Sequence, residues 1–170
     1  MKIRPEEDVD IERIFALNCA VFPTPQEAEI VDALRKSDQL KLSLVAIENN
    51  DVVGHIAFSP MGFGDFRSNR NIVALAPMAV ASARQKSGIG SRLIKEGLRI
   101  LKLRGIAGVL LIGHPTYYPR FGFKPVQPNF GFSSEFNVPE NVFLGLELIQ
   151  GGLSCIDETA YFSEEFSTSM

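Results

Sequence analysis

The fold of this chain is decided by residues 71–91, which read NIVALAPMAVASARQKSGIGS. Asn71 to Val80 is a nearly continuous apolar run, which predicts a buried central strand. After a short polar turn, Gly88 to Arg104 repeats apolar residues every three or four positions, which predicts an amphipathic helix. The next apolar run, Ile106 to Gly113, predicts a second buried strand. The three segments together therefore predict a parallel βαβ unit.

The turn between this strand and helix predicts an anion-binding site. The first amides of a helix have no partner within the helix and carry a partial positive charge. Gly88 and Gly90 allow a ligand to approach these amides closely, and Arg84 and Lys86 add positive charge, which favours a phosphate. The spacing fits neither the Walker A pattern nor GxGxxG, because Leu93 stands where the latter needs its third glycine. A glycine-rich turn without a ligand is the alternative that these residues leave open.

Length and composition narrow the classes of function. The chain has 170 residues, of which 45% are hydrophobic and 22% charged, as is typical of one soluble globular domain. We therefore expect a single domain over residues 1–170, with a core over about 1–150 and an irregular C-terminal extension over about 151–170. The net charge of −3 disfavours nucleic-acid binding. No apolar run is long enough to predict a membrane span.

The cysteines and the N-terminus predict a cytoplasmic protein without a metal. Cys19 and Cys155 are far apart and form no zinc-ligand spacing, and we expect both thiols to be buried. The N-terminus lacks the apolar segment of a secretory signal. Both observations are typical of a reducing compartment.

The remaining patterns predict the helices and strands around the βαβ unit. Apolar periodicity predicts a helix over residues 10–21. A second helix is expected to have Pro25 as its first residue, because residues 24–27 match a capping box. Further strands are expected at residues 3–4, 42–48, 52–58 and 143–149. Glycine, proline and polar residues predict an irregular segment over residues 59–70.

Two motifs resemble the GNAT superfamily of N-acetyltransferases. Gln85-x-x-Gly88-x-Gly90, between an apolar strand and an amphipathic helix, resembles the acyl-CoA loop of that family. Residues 117–123, which read YYPRFGF, resemble its second signature, a tyrosine followed four residues later by Gly-Phe. The resemblance extends from the first strand to about Tyr161 and is greatest to one bacterial subgroup. Ser82 and Lys86 stand where members often have proline and glycine.

The resemblance implies a fold and a cosubstrate. The implied fold is α/β: a mixed central sheet of about six to seven strands, flanked by helices, with two parallel central strands that splay apart. Acetyl-CoA is the implied cosubstrate, with its pantetheine arm along the first of these strands and its pyrophosphate on the loop amides. The implied cofactor-binding residues are Met78, Ala79, Val80, Gln85, Lys86, Ser87, Gly88, Ile89, Gly90 and Ser91. No metal is implied.

The resemblance also implies a reaction, the transfer of an acetyl group to a primary amine by direct attack. Tyr118 is the implied general acid for the leaving thiolate, since a phenol with a pKa of about 10 suits that step. A packing role is the alternative for Tyr118. His114, at the carboxyl end of a predicted central strand, is the candidate general base. His55, Glu48 and Asp65 are weaker candidates.

The acceptor is expected to be a small-molecule or peptide amine, not nucleic acid or a membrane. The phenylalanine-rich segments 63–66 and 121–136 are candidates for the walls of an acceptor pocket, and core filling is the alternative. Dimers are common in the family, so a homodimer is among the expected states. The alternatives to an active enzyme are a non-catalytic acyl-CoA-binding module of the same fold and a binder of another anion, such as a nucleotide.

Overall fold

The computed structural model describes residues 1–167, and within them the chain forms a mixed sheet of eight strands. The strands are β1 Lys2–Pro5, β2 Leu42–Glu48, β3 Asp51–Phe63, β4 Ser68–Val80, β5 Gly108–Ile112, β6 Lys124–Pro125, β7 Phe143–Glu147 and β8 Ala160–Tyr161. Their order is β1-β2-β3-β4-β5-β7-β6, and β8 pairs with β3. Because the neighbours β4 and β5 are parallel, the predicted mixed sheet with parallel central strands is confirmed.

Helices flank this sheet, as expected. The α-helices are α1 Ile11–Val21, α2 Gln26–Lys36, α3 Ile89–Leu103 and α4 Val126–Phe130. The clearest sequence pattern gives α3, whose residues Ile89, Leu93 and Ile94 are almost completely buried. Gly105 follows α3 with a φ of 75°, as expected for the glycine that ends a helix. In the part of the chain that the structure describes, no helix has the length and apolar character that a membrane span requires.

The chain folds into two compact units. The first unit comprises Met1–Ser59, Ala76–Ile100 and the segment that begins at Glu164. The second unit comprises Pro60–Leu75 and Leu101–Ser163. A single domain over residues 1–170 therefore remains a prediction. The expected irregular extension contains the short strand β8, and its last three residues lie outside the described part of the chain.

Each unit has its own buried apolar residues. In the first unit, α1 and α2 pack with the strands through a cluster that includes Ile14, Val31, Val45 and Ala79. In the second unit, β5 and β7 pair antiparallel over five residues each, with Leu110 opposite Gly145. The side chains of Val109 and Leu110 are completely buried.

The segment over residues 59–70 is a correction to the sequence prediction. Most of it belongs to strands, because β3 continues to Phe63 and β4 begins at Ser68. Met61 and Phe63 are buried while Gly62 between them is partly exposed, which is the alternation of a half-buried strand. The turn itself is short, with Gly64 at a φ of 69°. Pro60, Gly62 and Gly64 are residue types typical of turns, which is why the sequence predicted an irregular segment here.

The predicted capping box at the start of α2 is wrong. The helix begins at Gln26, and Pro25 is its N-cap residue without any side-chain cap hydrogen bond. The Thr24 hydroxyl therefore does not serve the helix amides. The carbonyl of Pro25 instead accepts the first helical hydrogen bond, from the amide of Glu29 at 2.9 Å.

The expectation that both cysteines are buried is also wrong, since Cys19 and Cys155 are exposed. Cys19 follows the buried residues Leu17 and Asn18 on α1. Successive helical residues point about 100° apart, and this step turns Cys19 toward solvent. Cys155 lies in a turn after β7, where no regular element covers it.

The parallel ladder between β4 and β5 is short. Its register has three residue pairs, from Ile72 opposite Gly108 to Ala74 opposite Leu110. β4 continues from there to Val80 and leads into the loop before α3. The carboxyl ends of parallel strands are where ligands bind in open α/β sheets, so this end of β4 is the place to search for a site.

Candidate active site

The loop between β4 and α3 has the backbone shape of an anion-binding turn. A single 3₁₀ turn covers Ser82–Arg84, and α3 begins at Ile89. Lys86 and Gly88 have φ values of 60° and 86°. A Cβ at Gly88 would meet no atom within 4 Å, so the space beside this residue is open. The loop therefore presents a main chain that a ligand can approach closely.

The amides around the start of α3 have no hydrogen-bond acceptor in the described part of the chain. The amides of Gly88, Ile89 and Gly90 donate to no acceptor within residues 1–167. The amide of Arg92, one turn further on, donates to the carbonyl of Gly88 at 3.1 Å. Three adjacent amides at the positive end of a helix dipole bind a phosphate well. This geometry fits the diphosphate of the implied cosubstrate.

Two side chains of the loop donate hydrogen bonds to nearby main-chain carbonyls. The side-chain amide of Gln85 donates to the carbonyl of Val80 at 3.2 Å. The Ser87 hydroxyl donates to the carbonyl of Arg84. Lys86 is exposed and Ser91 is half-buried. Gln85 therefore connects the loop to the last residue of β4, which fixes where the loop begins.

An ion pair that the sequence did not predict holds the other side of the loop. Arg84 donates from Nη2 to Oε1 of Glu48, the last residue of β2. Glu48 was a weaker candidate for the general base, and the structure places its carboxylate on this guanidinium instead. No sequence signal connects two residues 36 positions apart, and only the strand order brings them together.

Met78, Ala79 and Val80 form the end of β4. The Ala79 side chain is buried, whereas Met78 and Val80 are half-buried. Ala79 belongs to the apolar cluster with Ile14 and Val31. A ligand can therefore reach Ala79 only through its main chain.

Tyr118 lies in a 3₁₀ turn, Tyr118–Phe121, after β5. Its ring contacts Tyr117 at 5.1 Å and Phe123 at 5.8 Å between centroids, both edge to face. Its Cε2 lies 2.6 Å from where a Cβ on Gly113 would stand, so Gly113 makes room for the ring. Burial raises the pKa of the Tyr118 hydroxyl to about 12. The hydroxyl is therefore protonated at neutral pH and can donate a hydrogen bond.

The two histidines have opposite environments. His114 is exposed, two residues beyond the end of β5. His55 is fully buried, with Nε2 2.9 Å from the Ser43 hydroxyl and Nδ1 3.3 Å from the Asn18 amide. Burial lowers the pKa of His55 to about 4. His55 is thus a neutral structural residue, whereas the exposed His114 remains the candidate general base.

The structure brings the predicted residues together in two groups. Met78–Val80 and the loop residues 85–91 lie in the first unit, whereas His114 and Tyr118 lie in the second. Asp65, a weaker base candidate, is exposed at the hairpin turn. Among the described residues, no three histidine, cysteine or acidic side chains cluster to hold a metal ion.

The sequence and the fold have counterparts among known proteins. The model of the acetyltransferase (GNAT) family matches residues 11–123. The uncharacterized N-acetyltransferase YjhQ of Escherichia coli K12 is 35% identical over 133 residues, which cover 77% of this chain and 74% of YjhQ. The uncharacterized N-acetyltransferase YhbS of the same strain is 37% identical over 125 residues, covering 73% of this chain and 74% of YhbS.

Solved structures agree with this assignment. The crystal structure of Escherichia coli YhbS in complex with CoA has a TM-score of 0.92 and 30% identity, and the match covers 98% of this chain and 91% of that one. A GNAT family acetyltransferase from Brucella melitensis, in complex with acetyl-CoA, has a TM-score of 0.81 and 35% identity, and the match covers 97% of each chain.

Proposed function

This chain belongs to the GNAT family of N-acetyltransferases, and we propose that it transfers the acetyl group of acetyl-CoA to a primary amine by direct attack. The observation that carries the proposal is the row of amides at Gly88, Ile89 and Gly90 that have no acceptor within residues 1–167. They form a diphosphate site on the loop whose sequence matches the family's acyl-CoA motif. The similar proteins that were crystallised with CoA and acetyl-CoA support the same cosubstrate.

The end of β4 and the loop are proposed to hold the cosubstrate. The loop amides would bind the pyrophosphate, and the side chains of Lys86 and Ser87 border them. The main chain of Met78–Val80 would bind the pantetheine arm, since the side chain of Ala79 faces the core. Bound there, acetyl-CoA supplies an acyl thioester that an amine can attack.

Tyr118 is proposed to donate a hydrogen bond to the leaving sulfur. A pKa of about 12 keeps its proton in place until the thiolate develops. Transfer to a thiolate with an ordinary pKa of about 8.5 would be uphill by roughly 4–5 kcal/mol. Burial of the sulfur beside the phenol narrows this difference, because desolvation raises thiol pKa values too. The proton therefore moves late, as the carbon–sulfur bond breaks.

His114 is proposed to receive the proton that the amine must lose. Its imidazole is exposed to water, two residues beyond the end of β5. A hydrogen-bonded water can connect an exposed imidazole with the amine.

A non-catalytic acyl-CoA-binding module is the second candidate function. It is favoured by one observation: within the described residues no side chain hydrogen-bonds to the imidazole of His114 or the hydroxyl of Tyr118. Catalytic groups are often oriented by such partners. Release of CoA in the presence of an amine, followed by chromatography, separates the two functions, because a binding module releases none.

The experiment for the diphosphate site is a pair of substitutions at one position. Gly88→Asp and Gly88→Asn place side chains of equal size in open space at the same positive φ, so the pair differs in charge alone. We expect acetyl-CoA to raise the melting temperature of the parent protein, and Gly88→Asp to lose that shift. Gly88→Asn should keep more of it. Equal shifts in both variants would contradict a phosphate at these amides.

Several finer features belong to the proposal as well. We propose a cytoplasmic location, one domain over residues 1–170, and a homodimer as the assembly to test first. The acceptor is a small-molecule or peptide amine. Membership of the bacterial subgroup with the YYPRFGF signature is part of the same proposal.

A further inference from the structure

The loop between β4 and α3 is attached to the β2–β3 hairpin at two points. The amide of Ala81, the first residue after β4, donates to the carbonyl of Val53 on β3 at 2.9 Å. The guanidinium of Arg84 pairs with the carboxylate of Glu48, the last residue of β2. All four residues belong to the first compact unit, as do the loop amides. The hairpin is therefore the part of the fold against which the start of the loop is held.

Arg84 is the residue at which the hydrogen bonds of the loop meet. Its amide donates to the carbonyl of Ala81 at 2.7 Å, which closes the single 3₁₀ turn. Its carbonyl accepts a hydrogen bond from the Ser87 hydroxyl, and its side chain reaches Glu48. Because Ser87 directly precedes Gly88, Arg84 connects the end of β2 with the start of the amide row that has no acceptor within residues 1–167.

The hairpin that carries Glu48 is itself held in place. Glu48 lies opposite Asp51, and Asn49 and Asn50 between them have φ values of 50° and 65°. Two residues at positive φ form the tight turn whose twist matches that of the paired strands. The carbonyl of Asn50 accepts a hydrogen bond from Nη1 of Arg13 on α1 at 2.5 Å. The carboxylate of Glu48 is therefore presented from a fixed support.

The ion pair between Arg84 and Glu48 is partly shielded from water. The side chain of Arg84 is 42% exposed and that of Glu48 is 28% exposed. The Nε atom of Arg84 is buried and has no hydrogen-bond partner within the described residues. The inner part of the guanidinium is therefore enclosed by protein. Shielded pairs are screened by salt less than fully exposed pairs are, so this pair can hold the loop in one position.

The sign of the charge on Glu48 separates two roles for this residue. Its carboxylate stands beside a loop whose proposed ligand is a diphosphate, and like charges repel. If charge alone mattered, a neutral residue at position 48 would strengthen binding of the ligand. If the carboxylate acts by holding Arg84, and through it the turn that leads to Gly88, a neutral residue would weaken that binding.

We propose that Glu48 and Arg84 are positioning residues, which hold the loop amides in the geometry that binds the diphosphate of acetyl-CoA. The inference rests on the proposed function, because the ligand is the cosubstrate proposed there. A loop that is already ordered binds its ligand more tightly, since less freedom is lost on binding. Glu48 thus supports the loop and does not act as the general base.

The test compares two variants that each remove one negative charge from the hairpin, with the Kd for acetyl-CoA measured by calorimetry. Glu48→Gln breaks the pair with Arg84, and we expect its Kd to rise by about three- to fivefold. Asp51→Asn is the matched control, because Asp51 is exposed and lies opposite Glu48. Its Kd should stay the same or fall slightly. An unchanged or lower Kd in Glu48→Gln would overturn the proposal.

A double variant and the turnover rate supply the second arm. Arg84→Gln should also raise the Kd, and adding Glu48→Gln to it should raise the Kd no further, because the pair is already broken. A further rise as large as that of Glu48→Gln alone would show that the two residues act independently, against the proposal. With saturating acetyl-CoA, Glu48→Gln should keep the kcat of the parent protein. A loss of kcat at unchanged Kd would instead make Glu48 a catalytic base.

Hydrogen exchange in the free protein separates this inference from the proposed function. The amides of Ala81 and Arg84 are hydrogen-bonded at the start of the loop, and both should exchange about three- to fivefold faster in Glu48→Gln than in Asp51→Asn. If acetyl-CoA does not bind the parent protein, the proposed function fails, and exchange still shows whether the pair orders the loop. If acetyl-CoA binds and exchange is equal in the two variants, only this inference fails.

Discussion

Burial sets the chemistry of single residues in this protein. The hydroxyl of Tyr118 and the imidazole of His55 are both shielded from water, and each is held in its neutral form. For the phenol, neutrality preserves a proton that a leaving sulfur can use. For the imidazole, neutrality removes the group from acid–base work at neutral pH. The sequence placed His114 above His55 as a candidate base because of its position at a strand end, but it did not show that His55 is buried.

Tyr118→Phe tests the donor role directly. The substitution keeps the ring contacts with Tyr117 and Phe123 and removes only the hydroxyl. We expect kcat to fall by about tenfold or more, while the Kd for acetyl-CoA measured by calorimetry stays the same. Tyr161→Phe, in a tyrosine that stacks on Arg67, is the control. A kcat equal to that of the parent would show that Tyr118 only packs.

His55 makes the stability of the fold depend on pH. Its pKa is about 4 in the fold and about 6.5 when unfolded, so the unfolded chain binds more protons between these values. The contribution of neutral His55 to the free energy of unfolding is therefore complete above pH 6.5. It falls by up to roughly 3 kcal/mol as the pH drops to 4. The lowered pKa of Glu6, which pairs with Arg35 and bonds to Ser43, adds a loss in the same direction at lower pH.

Urea unfolding at pH 7 and pH 5 measures this effect. We expect the parent protein to lose free energy of unfolding between the two values, and His55→Gln to lose less. His114→Gln, at an exposed position, should follow the parent. A parent whose stability is the same at both pH values would contradict a buried neutral His55.

At the scale of elements, Gly97 on α3 and Gly54 on β3 both allow the helix to approach the strand closely. A Cβ on Gly97 would lie 2.7 Å from the ring of Phe58, which is completely buried. Alanine is better than glycine in a helix by about 1 kcal/mol, but overpacking a core costs about 1–3 kcal/mol. Because the Phe58 ring is completely buried, we expect the cost of overpacking to exceed the gain in helix propensity, so that Gly97→Ala is destabilising.

We therefore expect Gly97→Ala to lower the free energy of unfolding by about 1 kcal/mol, measured by urea denaturation. Lys95→Ala, on the exposed face of α3, is the control and should change it by less than about 0.5 kcal/mol. A stabilised Gly97→Ala would mean that α3 and β3 can move apart.

The elements also show what the sequence could and could not predict. Strong periodicity was sufficient to predict β4, α3 and β5, and the glycines between β4 and α3 were sufficient to predict a turn there. The hairpin turn was misread because Pro60 and the glycines masked a strand alternation. The Arg84–Glu48 pair depends on strand order, which joins residues far apart in the chain. No local pattern encodes such contacts.

For the whole molecule, the division into two compact units gives the prediction of one domain a direct test. Each unit is built from separate segments, and β4 and α3 pass from one unit to the other. Unfolding of one unit alone would break β4 after Leu75 and α3 after Ile100. We expect one calorimetric transition with equal calorimetric and van't Hoff enthalpies. Two resolved transitions would show that the units unfold independently.

Binding of acetyl-CoA should stabilise the whole chain by mass action. At a concentration of 100 times the Kd the gain is about 2.7 kcal/mol, which raises the melting temperature by roughly 5–10 °C for a chain of this size. Dephospho-CoA and ATP, tested in the same way, show whether the loop prefers CoA to another phosphate. A larger shift with ATP would favour a nucleotide as the ligand.

The two exposed cysteines affect how this enzyme can be assayed. Chromogenic disulfide reagents that report free CoA also react with accessible protein thiols, so Cys19 and Cys155 would add a background of up to two equivalents per chain. Replacing both with serine removes that signal. Restoring one at a time then gives a single attachment point for a fluorophore, on α1 in one case and after β7 in the other.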